Sequence, residues 1–289
     1  MPFYYSRTVF DLRITGANQG TEAELNNLLR GAILLRFRHQ VCDDIQRECL
    51  QCTLKSVCLY SGLFENLQNN PRKIMPYILT LKSLEKPYDY QLEVILLAFF
   101  APAHPYFLHI LEGMQKNGFS KEKLELQILD SFSETRIFQW PDIHEVPVPE
   151  SLELEFTTPL CLYKNKKALD HFDLGAFLGT LSRRAMDLHC QYQQGNSSEA
   201  QDGLPWMNIP ELLKNLNVEQ HLTLLTWERI SQKNLHEIQR KGLVGTLRFS
   251  GPGVPELWPW LILMEDFHLG KGSSFGLGQY RGLWRKNSM

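Results

Sequence analysis

Two rhythms of apolar and polar residues run along this chain, and they come in the same order twice. Tyr4 to Ile14 alternates in part and is rich in Tyr, Val, Phe and Thr, which predicts a half-buried strand. After a loop from Gly16 to Gly20, Thr21-Glu22-Ala23-Glu24 forms a capping box. Leu25, Leu28, Leu29, Ala32 and Leu35 then recur at helical spacing on one face. Arg36 and His39 prolong that face with polar groups, so the last turn of the helix is expected to leave the core and meet a cleft. Residues 66 to 90 are irregular apart from a strand near Tyr77 to Leu81. Tyr90 to Phe100 reads as a buried strand broken by Ala101-Pro102, and Pro105 to Lys116 as a helix closed by Gly118. Leu124 to Phe132 and Arg136 to Trp140 read as two further strands.

The second half repeats the scheme. Leu152 to Tyr163 predicts a strand. Leu174 to Gln191 predicts a helix with Leu174, Phe177, Leu178, Leu181, Ala185 and Leu188 on its core face. A polar loop from Gln194 to Gly203 follows. His221 to Glu228 and Gly242 to Ser250 read as strands joined by a turn around Gln232 to Glu237, Pro255 to Phe267 as a second helix, and Gln279 to Trp284 as a last strand. The order strand, helix, strand, strand, helix, strand is the ferredoxin-like pattern. Pro141 to Pro149, with three prolines and no periodicity, suits a linker. The expected class is therefore α+β, with two tandem ferredoxin-like (RRM-like) domains. The first covers residues 1–143 with a cysteine-rich insertion at 42–58, and the second covers 150–289 with a glycine-rich loop at 268–278.

Composition agrees with that division, since 289 residues at 43% hydrophobic content can fill two cores of ordinary size. The N-terminus lacks the pattern of a signal peptide, and the longest apolar runs are too short to span a bilayer, so a soluble cytoplasmic protein with no membrane partner is expected. The formal net charge of −2 is not that of a non-specific nucleic-acid binder, but its distribution is uneven. Residues 141 to 160 hold five acids and no Lys or Arg, whereas residues 161 to 289 hold 15 Lys+Arg against 12 Asp+Glu. Basic groups cluster at Lys164/Lys166/Lys167, Arg183/Arg184, Arg240/Lys241 and Arg281/Arg285/Lys286. Such clusters are commonly solvated faces, yet several together could line one phosphate track.

Two stretches carry candidate chemistry. Cys42, Cys49, Cys52 and Cys58 place four of the six cysteines in seventeen residues, with Cys49-Leu-Gln-Cys52 able to chelate one ion. In a reducing compartment a tetrathiolate metal site is expected in preference to disulfides: structural zinc, with an iron–sulfur cluster as the alternative and four unligated cysteines as the bland reading. Near the C-terminus, His268-Leu-Gly270-Lys271-Gly272-Ser273-Ser274-Phe-Gly276-Leu-Gly278 puts four glycines in nine residues. Glycine permits the backbone to approach an anion closely. The loop is neither a Walker loop, which needs Lys-Ser/Thr after its last glycine, nor a dinucleotide fingerprint, which opens a helix.

This loop resembles the C-terminal signature of the CRISPR-associated repeat-RNA endoribonucleases, the Cas6 branch of the RAMP superfamily. The resemblance extends to Gly242-Leu-Val-Gly245-Thr-Leu-Arg-Phe-Ser-Gly251, similar to the family's glycine-hydrophobic-x-glycine strand, and to Phe156-Thr157-Thr158-Pro159-Leu160-Cys161-Leu162, similar to its F-x-T-P-L-x-L strand. Together these motifs cover most of residues 150 to 289. Leu59 to Glu65 also looks like a segment that some members carry after a cysteine cluster.

The resemblance implies an enzyme that binds the CRISPR repeat in precursor RNA and cuts it by attack of the substrate's own 2′-hydroxyl, without a catalytic metal, leaving a 2′,3′-cyclic phosphate. Such a reaction needs a base, an acid and cations for the phosphorane charge. It further implies a catalytic histidine in or just after the first helix, the place of His39, with Arg36 beside it. His268, at the mouth of the glycine loop, is the second candidate. Lys271, Ser273, Ser274, Gly270 and Gly272, with Arg183, Arg184 and Arg281, are the expected RNA contacts. Implied partners are repeat RNA and other Cas proteins of an effector complex. The alternative is a guide-RNA-binding subunit that does not cut. His104, His109, His144, His171, His189, His221 and His236 lie outside the motifs and receive no role, and no motif for Ser-His-Asp or paired-carboxylate hydrolysis is present.

Overall fold

The computed structural model describes residues 2–16, 22–65, 74–119, 124–141, 148–192, 204–230 and 237–283. Thr21 of the expected capping box, most of the 141–149 linker, the 194–203 loop, the turn before Glu237 and residues 284–289 lie outside them. The chain divides into two compact units, one of residues 2–138 with 191–194, the other of residues 139–190 with 195–289.

The first unit runs β1 (Phe3–Thr15), α1 (Glu22–Val41), β2 (Tyr77–Ser83), β3 (Asp89–Leu97), α2 (His104–Asn117) and β4 (Glu125–Phe138). Its sheet is antiparallel in the order β2-β3-β1-β4. Strand alternation aims Phe10, Leu12 and Ile14 of β1, with Leu92, Val94 and Leu96 of β3, at the helices. There they join Leu25, Leu29, Ile33 and Phe37 of α1 and Phe107, Ile110, Leu111 and Met114 of α2 in one core. Each such side chain contributes about 1.5–3 kcal/mol when fully buried. The opposite face is mixed: Arg7 Nε lies 2.6 Å from Glu93, and Arg13 pairs with Asp89 at 2.7 and 3.1 Å, while Phe3, Tyr5, Ile78, Ile95 and Leu97 on the same face are buried.

Three details differ from the sequence reading. The buried stripe of α1 is Leu25, Leu29, Ile33 and Phe37, whereas Leu28 and Leu35 are 41% and 60% exposed. The helix is rotated toward Phe37 because that ring packs against Phe64, Tyr106 and Phe107, with centroids 5.3, 5.4 and 5.6 Å away. Glu125–Phe138 form one strand and not two, since the polar stretch that resembles a turn pairs with β1, Thr8 Oγ1 meeting Ser133 Oγ at 2.9 Å. Its only irregularity is a bulge opposite Asp11 and Leu12. Finally, β3 stops at Leu97, and a 3₁₀ turn over Ala98–Ala103 leads into α2.

The second unit runs β5 (Ser151–Leu160), a small hairpin of β6 (Tyr163–Lys164) and β7 (Lys167–Ala168), α3 (Leu174–Tyr192), α4 (Ile209–Asn215), β8 (Asn217–Ile230), β9 (Glu237–Ser250), α5 (Val254–Met264) and β10 (Tyr280–Gly282). Its main sheet has the order β10-β5-β9-β8. Numbered within each unit, both sheets read 4-1-3-2 around two principal helices, so the expected tandem ferredoxin-like architecture is present. Phe177, Leu178, Leu181, Ala185 and Leu188 of α3 are all buried, as their spacing requires. Helix α4 is an addition. Asn208 caps it by accepting from the Glu211 amide at 3.3 Å, and Pro210 sits in its first turn. Seven residues are too few for periodicity to reveal.

Candidate active site

Helix α1 reaches its end along an edge that is not part of the core. Leu35, Arg36, His39 and Gln40 there face His109, Ile110 and Gly113 of α2 and line an open cleft of about 410 Å³. His39 and His109 are both exposed. Arg36 is fixed across the gap: its Nη2 donates to the carbonyl of Gly118 at 2.7 Å, the residue that ends α2 with φ of 67°. A cation at that end also complements the partial negative charge of the α2 terminus. A side chain at Gly113 would begin 3.7 Å from Nη1 of Arg36, so the guanidinium passes over a bare stretch of α2. One turn from His109, the Glu112 carboxylate lies 3.7 Å from its Nδ1. Helical spacing alone places Arg36 and His39 at a cleft but does not connect His109 to them. No periodic signal could, because His109 is one of several polar residues on the outer face of α2.

The cysteine segment follows α1. Cys49 and Cys58 pack against the core, and Cys42 Sγ donates to the Asp44 carbonyl at 3.2 Å. Arg38 stands over the Tyr60 ring at 5.6 Å and beside Cys42 and Cys49. Burial pushes the Cys49 thiol up, an effect opposed by Arg38 and reinforced by Glu65, Cys58 and Cys42. Burial also pushes the Tyr60 hydroxyl up to about 12. Among the described residues no three His, Cys, Asp or Glu side chains are gathered in a group that could hold an ion. A tetrathiolate site therefore requires segment 42–58 to close further than it does here.

In the second unit the three sequence motifs meet. Thr158 of the β5 motif donates to the Gly276 carbonyl at 2.7 Å and accepts from the Gln279 amide at 2.8 Å, tying the glycine-rich loop to its strand. The Leu269 amide donates to Gly278, the Lys271 amide to Cys161 and the Gly278 amide to Pro159, at 2.8, 3.0 and 3.0 Å. Gly278 is obligatory: φ is 71°, and a Cβ would fall 1.6 Å from the Leu269 carbonyl oxygen. Gly242 of β9 serves a different need, since a Cβ there would lie 2.6 Å from the Pro159 side chain. The glycines thus hold a tightly bonded loop in shape, and many of its amides are already used within the protein.

Placement separates the expected RNA contacts. Lys271 is exposed and lies over the Tyr163 ring at 4.7 Å. It and Arg240 both act on the Cys161 thiol, which burial nevertheless raises to about 11, so Arg240 of β9 joins the same basic group. Arg183 is exposed and Ser274 half-buried, whereas Ser273 is 5% exposed. Arg184 donates through Nε and Nη2 to the Phe267 carbonyl at 2.9 and 2.8 Å and braces the entry to the loop. Arg281 pairs with Glu155. Tyr280 is core, its hydroxyl donating to the Leu261 carbonyl at 2.6 Å. His268 is 0% exposed with φ of 55°, which leaves its ring no surface for a dissolved substrate.

The same motifs decide the family. The model of the CRISPR-associated endoribonuclease Cas6 matches residues 154–280, from β5 to the first residue of β10. Residues 154–280 therefore form a Cas6-family domain. A second family model, described as an N-terminal domain, matches residues 10–148. Solved structures with a similar fold include a Cas6 product complex (14% identity, TM-score 0.60, 96% of this chain and 99% of that one) and Thermus thermophilus Cas6 (16%, 0.57, 98% and 99%). Another Cas6 product complex is similar at 16% identity and TM-score 0.55, covering 96% of this chain and 99% of that one. No curated protein sequence matches the chain. Among the described residues no helix is long and apolar enough to cross a membrane.

Proposed function

We propose that this protein binds the CRISPR repeat in precursor RNA and cleaves it by metal-independent transesterification, leaving a 2′,3′-cyclic phosphate, with His39 as a proton-transfer group. The observation that carries this reading is the exposed His39 beside Arg36 in one open cleft, within a chain whose other half is a Cas6 domain. RNA supplies the nucleophile, so the protein must move protons, orient the 2′-oxygen in line with the leaving 5′-oxygen, and stabilise charge on phosphorus. Arg36 is suited to the last task. One of its five N–H donors is engaged by Gly118, which holds the guanidinium still and leaves others for phosphoryl oxygens. Lys271, Ser274, Arg183 and Arg240 serve as further phosphate contacts, and the Cas6 structures of similar fold in product complexes support an RNA ligand. Other Cas proteins are the expected partners for the bound product.

Incubating the purified protein with labelled repeat RNA in EDTA tests the reading. A single cut per repeat ending in a cyclic phosphate is expected. Tight binding without a cut would instead assign it the role of a guide-RNA-binding subunit.

The cysteine segment enters the same proposal as a structural zinc site, with an iron–sulfur cluster as the alternative, formed by Cys42, Cys49, Cys52 and Cys58 when that segment closes. Four thiolates would leave no coordination position for substrate, so the ion would order the chain after α1 and take no part in cleavage. Metal analysis and an absorbance spectrum of anaerobically purified protein should find one equivalent, and absence of any stoichiometric metal would sink this part.

A further inference from the structure

The cleavage chemistry proposed above moves two protons, and His39 is one group. As the 2′-oxygen bonds to phosphorus its proton must go to a base, and as the bond from phosphorus to the 5′-oxygen breaks that oxygen must receive a proton from an acid. We propose that His109, on α2, is the second proton-transfer group: the acid that protonates the 5′-oxygen while His39 takes the 2′-hydroxyl proton.

The lining of the cleft supports this by elimination as well as by position. A guanidinium does not serve as a proton donor or acceptor in proteins, which sets Arg36 aside. Leu35, Gln40, Ile110 and Gly113 have no proton to give. His109 remains, and it stands on the wall opposite His39, because one residue belongs to α1 and the other to α2. Opposite walls suit an in-line displacement, in which the entering and leaving oxygens lie on opposite sides of phosphorus. Buried Ile110 anchors α2 next to His109 and sets that histidine at the rim. Glu112 approaches Nδ1 at 3.7 Å, which leaves Nε2 as the nitrogen for a ligand and places a carboxylate where it balances the imidazolium that an acid must carry. Among the described residues that line the cleft, Arg36 from α1 carries a fixed charge, and Glu112 from α2 stands beside His109.

Single-turnover cleavage of two RNAs tests the assignment once the cut has been mapped with the unaltered protein. One is repeat RNA; the other carries sulfur in place of the 5′-bridging oxygen at the scissile bond, and its thiolate leaves without being protonated. His109→Ala should slow cleavage of the normal RNA by about 10²-fold or more and that of the sulfur RNA by about threefold at most. His39→Ala should slow both. His109→Asn, closer in shape, should repeat the His109→Ala result, and RNA affinity should stay within about twofold in each variant. Full activity of His109→Ala on normal RNA overturns the proposal, as does an equal loss on both substrates. Failure of the unaltered protein to cut repeat RNA would instead strike the cleavage reading itself, so the two failures are distinguishable.

Discussion

The two units share one strand order, 4-1-3-2, yet they present function in opposite ways. In the second unit the notable residues act through the backbone. Gly278 and Gly242 permit close approaches, Thr158 ties the loop on both sides, and Arg184 braces a carbonyl. Such roles demand particular residue types at particular spacings, which is why they appear as motifs. In the first unit the notable residues are side chains on two helices that meet at a cleft. Their spacing in sequence is arbitrary, since a helix pair brings together whatever residues occupy the facing turns. The same architecture therefore carries a legible frame in one half and a site without a signature in the other.

The largest expected effect belongs to the first unit. His39→Ala should slow cleavage by about 10²–10⁴-fold while repeat-RNA affinity stays nearly intact, because proton transfer contributes on that scale and His39 is exposed and outside the core. Rapid-quench rates beside filter-binding constants would show it, and a loss confined to affinity would reverse the contrast between the units. Next comes Gly278→Ala. A methyl group 1.6 Å from the Leu269 oxygen at φ of 71° should cost more than about 2 kcal/mol in urea unfolding and release the loop from Thr158. A near-neutral result would mean that the loop is not held as described.

Smaller effects sharpen the comparison. Lys271→Ala, which removes an exposed cation without touching the frame, should weaken RNA binding several-fold and reduce the salt slope by about one unit or less across RNA sequences. The weakest effect is one of pH. Burial lowers the His189 pKa from its usual 6.5. Its neutral form is the one that folding favours, so that contribution to stability is fully present above about pH 6.5 and is lost as pH falls toward the lowered folded value. Urea midpoints of the protein should drop between pH 7 and pH 5, and the drop should be smaller in His189→Gln.

Period and punctuation alone were enough to read the α+β class, the repeated strand and helix order, the core face of α3 and the glycine-rich loop. These depend on local geometry: alternation for strands, 3.6-residue spacing for helices, and glycine where φ is positive or two backbones touch. Rotation of α1 was not legible, because Leu25, Leu28, Leu29 and Leu35 are equally apolar and only packing around Phe37 decides which of them is buried. Nor was the unity of β4, whose polar middle is a strand only because β1 lies beside it. Placement of candidate residues also waited on the fold: His268 and His39 are alike as letters, but one is enclosed and the other open to solvent. The meeting of His39 with His109 is the clearest case, since the two residues lie far apart in the chain and only the packing of α1 on α2 brings them to one cleft.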